Sequence, residues 1–397
     1  VYRLGAHVPV PGVNGQALEA QIREIGGLLN FYDMFSGGAF ANATIFALGI
    51  MPYISMAIIM SLLVVVVPQL EALQKQGAEG QKKINEYTRY GTIALCIVQS
   101  IGLAIFLENL NANNPGSPIL MDTGMTFYLL CILSFTTGTA FIMWLGEQIS
   151  EHGVGNGISL LIFVSIIASM PAAVMTLFTL ISNGEISAFQ AITLAFLLVV
   201  VVAGTVLITR GQRRIPIQYP RQVKGRKTYG GGRNYLPLRV NQAGVIPIIF
   251  ASSLLMLPGM VTSSINVTWV QYIFNDLLGF GSFWYNVVFS VMIVFFSFFY
   301  TAITFNPVDI SENLKKYGGV VMGVRPGKAT AEYLQRVMTR ITTVGAIFLV
   351  VVSLVPNLLY SMYGIYDYNI VSFFGGTSLL ILVGVALDTV AQMEQHL

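Results

Sequence analysis

Charge is scarce in this chain: only 10% of its 397 residues are Asp, Glu, Lys or Arg, against roughly 25% in an ordinary globular domain. That excludes a water-soluble domain. With 55% apolar residues and a mean hydropathy of +0.71, the composition is that of an integral membrane protein. Cysteine is nearly absent too. Cys96 and Cys131 lie inside apolar runs, far from any His or carboxylate cluster, so they read as packing residues and neither a disulfide framework nor a metal site is expected. The three histidines, His7, His152 and His396, form no i, i+4 pair, which removes the helical metal site of a hydrolase. No cofactor is expected either. "GVGNGIS" at 153–159 has Ile158 where a dinucleotide fingerprint needs glycine, and "VKGRKTYGGG" lacks the spacing of a phosphate loop. The first reads as a tight turn and helix start. The centres of the apolar runs hold no Asp, Glu, Lys or Arg, whereas ion-coupled transporters and proton pumps carry such groups at mid-membrane. A coupled pump is therefore disfavoured, and catalysis by this chain is not expected.

What is present is a series of runs long enough to cross a hydrocarbon core, which asks for about 20 residues per helix. They fall near 37–67, 91–107, 125–145, 157–180, 190–209, 243–263, 285–306, 341–359 and 371–392. "VYRLGAHVPVPG" reads as the outer end of one more, whose beginning is missing, so ten spans are expected and no signal peptide can be judged. All 21 Lys and Arg residues fall near the start (Arg3, Arg23) or in 68–90, 210–239 and 315–340, while 108–124, 181–189, 264–284 and 360–370 hold none. The positive-inside rule puts the basic segments in the cytoplasm and the others outside, in strict alternation. Ten spans divide into 1–180 and 181–397, with five in each half. An odd number per half makes any repeat an inverted one, with its axis in the membrane plane.

Two cytoplasmic arms stand out. The first, 209–240, carries nine basic residues and no acid; alternation in "RRIPIQY" and "RKTY" around turn residues predicts a protruding hairpin. A topology signal needs no loop of that length, so it reads as a docking arm for an acidic or phosphate surface. The second, 307–340, places Arg325 at the tip of a turn in "GVRPGKAT", after which the spacing predicts a helix. A third irregularity lies in "SGGAFANATIFALGIMPYIS", where Gly37, Gly38 and Asn42 weaken the first part as a spanning helix. The helix then begins around Gly49 to Pro52, since proline is tolerated in a first turn.

Several motifs together resemble the bacterial SecY family. They are "FSGGAFANATIFALGIMPYIS", "INEYTRYGT", "TGTAFIMWLGEQISEHGVGNGIS", "RGQRRIPIQY", "LPLRVNQAGVIPIIFASS", "FFYTAITFNP", "NLKKYGG", "GVRPGKAT" and "FFGGTSLLILVGVALD". They run in the family's order over nearly the whole chain; only the amino-terminal segment with most of span one and the carboxy-terminal tail depart. The resemblance implies an all-α protein of the bacterial cytoplasmic (inner) membrane, with an hourglass pore between two five-helix halves. SecE clamps it and SecG accompanies it. Unfolded preproteins would cross it, driven by the SecA ATPase or a ribosome, and signal sequences or apolar segments would leave sideways into membrane lipid.

The resemblance also implies particular residues. Ile50, Ile54, Ile158, Ile162, Ile249 and Ile381 would form the pore ring, and the i, i+4 spacing of the first two pairs agrees by placing each on one helix face. Such a collar wets poorly and holds nothing that passes. Ser36, Gly37, Gly38, Ala39, Phe40, Ala41 and Asn42 would be the plug, within about 34–45. Ile58, Gln99, Ser253 and Leu257 would line a lateral gate, Gln99 being a polar residue in an apolar span that needs a hydrogen-bond partner. Arg226, Lys227 and Arg325 would engage SecA or the ribosome, with a possible ribosomal RNA contact through the basic loops. Two other classes compete: a small-solute secondary transporter, which the missing charges disfavour, and a scaffold that recruits ribosomes but passes no chain.

Overall fold

A computed structural model describes residues 2–25, 33, 36–113, 119–120, 124–184, 186–219, 222–224, 227–229, 233–262, 282–363 and 376–396. Its elements in chain order begin with α1 (Tyr2–Gly5), α2 (Gly15–Ile25), α3 (Met51–Val66), α4 (Pro68–Lys75), α5 (Ala78–Asn113), α6 (Met125–His152), α7 (Gly157–Ser182) and α8 (Ala188–Arg210). Then come β1 (Gln212–Gln218), β2 (Gln222–Lys224), β3 (Lys227–Tyr229) and β4 (Arg233–Arg239). The chain continues through α9 (Ile246–Thr262), α10 (Phe283–Thr304), α11 (Pro307–Lys316), β5 (Val320–Val321), α12 (Lys328–Tyr363) and α13 (Gly376–His396). Nine of the ten expected runs thus have a helix, and the partial first run has only the stub α1. Among the described residues seven helices are long and apolar enough to cross a membrane, and α3 with α4 makes an eighth by length and composition.

Local chemistry sets the ends. Pro52 sits in the first turn of α3, as the sequence predicts. Val67 precedes Pro68 and is extended, with φ −97° and ψ 111°, because a proline disfavours the helical region for its predecessor. The apolar run therefore ends there and α4 leaves at 97°, a polar helix that the sequence reading takes as loop. Asn156 caps α7, its side-chain oxygen accepting from the Ile158 and Ser159 N–H groups at 3.0 and 3.2 Å. This is the turn and helix start expected of "GVGNGIS". Ser187 and Gln190 form a reciprocal capping box at the start of α8.

The helices α3, α5, α6 and α7 pack in succession, and α9, α10, α12, α13 and α8 do likewise. The two sets meet where α9 lies against α3 and α5, and where α13 lies against α7. Large apolar side chains such as Phe196, Leu207, Trp284 and Val351 face outward, which suits a lipid surround and not water. Close approach is made with glycine. A Cβ on Gly157 would lie 2.0 Å from the Gly146 carbonyl oxygen, and one on Gly138 would lie 1.9 Å from that of Ile45.

The expected hairpin is present. β1 and β4 pair antiparallel from Gln212 with Arg239 to Gln218 with Arg233, and β2 and β3 continue it from Gln222 with Tyr229 to Lys224 with Lys227. The sequence gives no sign of the next step: β5, from the second arm, pairs with the free edge of β1 through Ile217 with Val321 and Gln218 with Val320. Ile215, Leu238, Phe305, Val321, Leu334 and Met338 form a small buried core beneath this sheet. The two basic arms are one platform.

The Gly138 contact is with backbone, which cannot rotate away as a side chain can. Gly138→Val should destabilise the fold by about 1–3 kcal/mol, as overpacking does. A lowered thermal unfolding midpoint in detergent, with Gly138→Ala less affected, is the expected result.

Candidate functional site

Residues 36–50 form a chain of turns between α2 and α3 and are almost wholly buried: Ser36, Ala39, Ala47 and Leu48 are each at most 1% exposed. Backbone placed inside a helical bundle must find its own hydrogen bonds, and here it does. Thr44 donates from both its N–H and its hydroxyl to the Ala39 carbonyl, at 3.0 and 3.1 Å. The Asp33 carboxylate accepts from the Ala41 N–H at 2.8 Å, and the Ser36 hydroxyl accepts from the Phe40 N–H at 3.0 Å. Asn42 donates from its side chain to the Gly38 carbonyl at 3.0 Å. Ala43 sits at φ 42°, a strained position for a residue with a Cβ. It is held by its N–H to the Phe40 carbonyl at 3.0 Å and by the Val10 N–H on its own carbonyl at 2.9 Å.

A few side chains moor this segment to the helices around it. Arg3 donates to the Gly37 carbonyl at 2.6 Å. The Tyr2 hydroxyl lies 3.1 Å from the Ser36 carbonyl and 2.7 Å from the Ser165 hydroxyl of α7. Gly37 has φ +69°, and a Cβ there would meet Arg3 at 3.1 Å and Ser165 at 3.3 Å, so both backbone and space require glycine. Phe46 is stacked between Tyr2 and Phe141, with ring centroids 5.9 and 6.0 Å away. The sequence reading misses Asp33, Tyr2, Arg3 and Ser165. Ser165 carried the one available signal, as a polar residue in an apolar span that must find a partner.

The six isoleucines come from α3 and its entry, α7, α9 and α13. Ile50, Ile54, Ile162, Ile249 and Ile381 are buried in one continuous apolar core that also contains Ala39, Phe40 and Ala41, and Ile158 packs against it half-buried. That core runs through the whole bundle, so it shows that these residues are buried and leaves the ring and the plug as expectations.

Ser253 of α9 donates to the Ile249 carbonyl at 2.7 Å and lies 3.8 Å across the seam from the Met51 sulfur of α3, and Ile58 of α3 is buried. Among the described residues the Gln99 side-chain oxygen of α5 is buried without a partner. Leu257 belongs to α9, but its side chain lies outside the described residues. The helices behind this seam are tied more firmly: Arg89 of α5 grips Glu147 of α6 with two nitrogens, each 2.8 Å from an oxygen.

Arg325 is exposed on a fixed turn. Its carbonyl accepts from the Thr330 hydroxyl at 2.8 Å, and the Gly327 carbonyl accepts from the Ser311 hydroxyl at 2.6 Å. The backbone is held from both sides while the guanidinium faces outward. Lys227 begins β3, paired with Lys224; its side chain and the whole of Arg226 lie outside the described residues.

Comparison with known proteins matches this geometry to one family. The SecY family profile covers residues 44–390. The protein translocase subunit SecY of Pseudomonas aeruginosa is 45% identical over 402 residues, spanning all of this chain and 88% of that protein. Among solved structures, a protein-conducting channel is similar with a TM-score of 0.68 at 16% identity, over 99% of this chain and 89% of that one. Sec61 in the canine ribosome-channel complex from the endoplasmic reticulum is similar with a TM-score of 0.64 at 16% identity, over 99% and 89%. At such identities the structures speak to the fold, which they share with this chain.

Burial pushes the Asp33 carboxyl up to about 6, even though the Ala41 N–H and the Ser36 hydroxyl favour its ionised form. A folded-state value above the ordinary one means that the packed segment is most stable with Asp33 protonated. It loses stability as pH rises from about 4 to about 6 and changes little beyond, by roughly 3 kcal/mol at most. Asp33→Asn keeps an acceptor oxygen for Ala41 and cannot ionise. Thermal unfolding followed from pH 4 to pH 8 should show a fall in the midpoint of the parent protein across that window, reduced in the variant.

Proposed function

This chain belongs to the SecY family, and from that premise we propose that it is a protein-conducting channel of the bacterial cytoplasmic membrane, closed in this structure by an apolar collar and a plug. The single observation that carries the reading is the burial of five of the six isoleucines, all but the half-buried Ile158, with residues 39–41 in one core. A ring of branched apolar side chains is poorly wetted and blocks ions, yet forms no strong bond to a passing chain. In the same core lies a buried run of turns, tied to its surroundings by Tyr2 and Arg3, with Tyr2 also bonded to Ser165 one turn along α7 from Ile162. Residues 36–42 are the part that moves aside, and Ile50, Ile54, Ile158, Ile162, Ile249 and Ile381 are the part that then grips loosely.

The seam of α9 with α3 and α5 is the lateral exit. Its one polar contact among the described residues is the weak approach of Ser253 to the Met51 sulfur at 3.8 Å, which makes it a marginal contact in a hydrocarbon setting. Signal sequences and apolar segments leave by it into lipid. The halves 1–180 and 181–397 part along this seam, as an inverted pair of five-helix units does. SecE clamps the halves and SecG accompanies them. The SecA ATPase or a ribosome supplies the drive by docking on the cytoplasmic arms through Arg226, Lys227 and Arg325, of which Arg325 is exposed. A solute transporter would need polar groups in the spans for its cargo; the ring provides isoleucine.

Ile54→Gly combined with Ile162→Gly should raise the resting ion conductance of the channel in planar bilayers severalfold; an unchanged conductance would remove the collar assignment. In vesicles containing the protein, SecE and SecA, transport of an unfolded preprotein should fall about tenfold or more with Arg325→Glu. Normal transport by that variant would take Arg325 out of the docking surface.

A further inference from the structure

A cleft of about 670 Å³ opens at the base of the cytoplasmic platform, between the start of β1 and one face of α12. Its polar wall is made by Arg213, Arg336, Arg340 and Tyr333, and its apolar wall includes Val240 and Val344. Among the described residues none of the three arginines is in an ion pair; Arg239 next to the cleft is already opposite Asp388 at 3.7 Å. The cleft thus has three guanidiniums facing solvent with no acid in its lining.

Its level relative to the membrane follows from the chain itself. Apolar α8 ends at Arg210 and is followed by Gln212 and Arg213; Arg239 and Val240 lead into apolar α9; α12 changes from charged to apolar between Arg340 and Ile341. Three independent crossings therefore change character at this cleft, which places it at the headgroup layer. On α12, residues 333, 336, 340 and 344 share one face by their three- and four-residue spacing. The same face continues into the bilayer through Val344, Ile347 and Val351, all more than half exposed. Alongside, α12 crosses α8 closely, since a Cβ on Gly204 would lie 3.2 Å from the Phe348 ring. A cationic pocket at headgroup level that opens onto an exposed apolar stripe has two chemistries in one line.

We propose that this cleft is a binding site for an anionic phospholipid, its phosphate held by Arg213, Arg336 and Arg340 and one acyl chain lying along Val344, Ile347 and Val351. Planar guanidiniums match a phosphate in paired hydrogen bonds, and each basic residue at the membrane surface adds to the attraction for an anionic lipid. A free phosphate compound satisfies the arginines but leaves the stripe uncovered. The site is independent of the channel reading and would exist in any membrane protein with this geometry.

The test is native mass spectrometry of the purified full chain, with whatever subunits remain bound, titrated with phosphatidylglycerol, phosphatidylcholine of the same acyl chains, or glycerol 3-phosphate. Phosphatidylglycerol should bind roughly tenfold or more tighter than phosphatidylcholine. R213Q/R336Q/R340Q should abolish that preference, R336K/R340K should keep most of it, and R340Q alone, as a milder variant that must fold normally, should reduce it severalfold. Equal binding of the two lipids, or a preference untouched by the triple change, overturns the proposal. So does competition by glycerol 3-phosphate as strong as by the lipid, or loss of a bound subunit instead of lipid in the triple variant, which would mark the cleft as a protein contact.

Discussion

Backbone that enters a membrane without being helical must be enclosed by protein and must pair its own N–H and C=O groups. The arrangement of the first half of this chain follows from that one constraint. Residues 36–50 are turns with left-handed positions at Gly37, Gly38, Ala43 and Gly49, a backbone that could not face lipid. They are buried because α1, α6 and α7 surround them, through Tyr2, Phe141 and Ser165. Their internal bonds run through Asp33, Ser36, Thr44 and Asn42. Beyond these, the segment is tied to its surroundings by the Val10 N–H on the Ala43 carbonyl and the Ile45 N–H on the Val8 carbonyl, and by Arg3 and Tyr2 on the Gly37 and Ser36 carbonyls.

The same constraint explains where the small residues are. The hydrophobic effect does not drive helices together in lipid, so association depends on close packing and on small side chains that permit it. Gly138 admits the Ile45 carbonyl and Gly157 admits that of Gly146, each at a distance no Cβ tolerates. The first contact seats the irregular segment against α6; the second lets α6 turn directly into α7. Neither glycine is in a turn that demands its backbone freedom. Both are there because another chain passes where a side chain would be.

Much of this was legible beforehand, and the reasons differ by element. The long helices follow from apolar runs, and the SecY membership from motifs such as "GVRPGKAT", both being local properties of sequence. The hairpin over 212–239 could be read from its alternation. What escaped was relational. Nothing in "GGVV" at 318–321 indicates that Val320 and Val321 would extend a sheet begun a hundred residues earlier, because two residues have no period. The break at Val67 is local and could have been read from Pro68; the run of valines obscured it. Asp33 was invisible and Ser165 gave only the signal of a polar residue in an apolar span, because their roles depend on each being next to the same turns in space. The isoleucines at 50, 54, 158, 162, 249 and 381 carried no signal of their own in an apolar chain, and only the resemblance set them apart.

The distribution of strong and weak contacts argues for where such a molecule yields. Within the first set of helices, α5 and α6 share the doubled Arg89–Glu147 pair, and Tyr128 of α6 donates to Glu108 of α5 at the other end of the same interface. With its two ends fastened and α7 turned tightly off α6, this set resists shear. Across the seam, the one polar contact of α9 with α3 among the described residues is the weak hydroxyl-to-sulfur approach of Ser253 to Met51. In water such a seam would be held shut by the exclusion of solvent. In lipid, apolar surface exposed by its opening is covered by acyl chains at little cost. Parting α9 from α3 and α5 is thus cheaper than sliding α5 against α6, while α13 stays packed on α7 as the other contact between the sets.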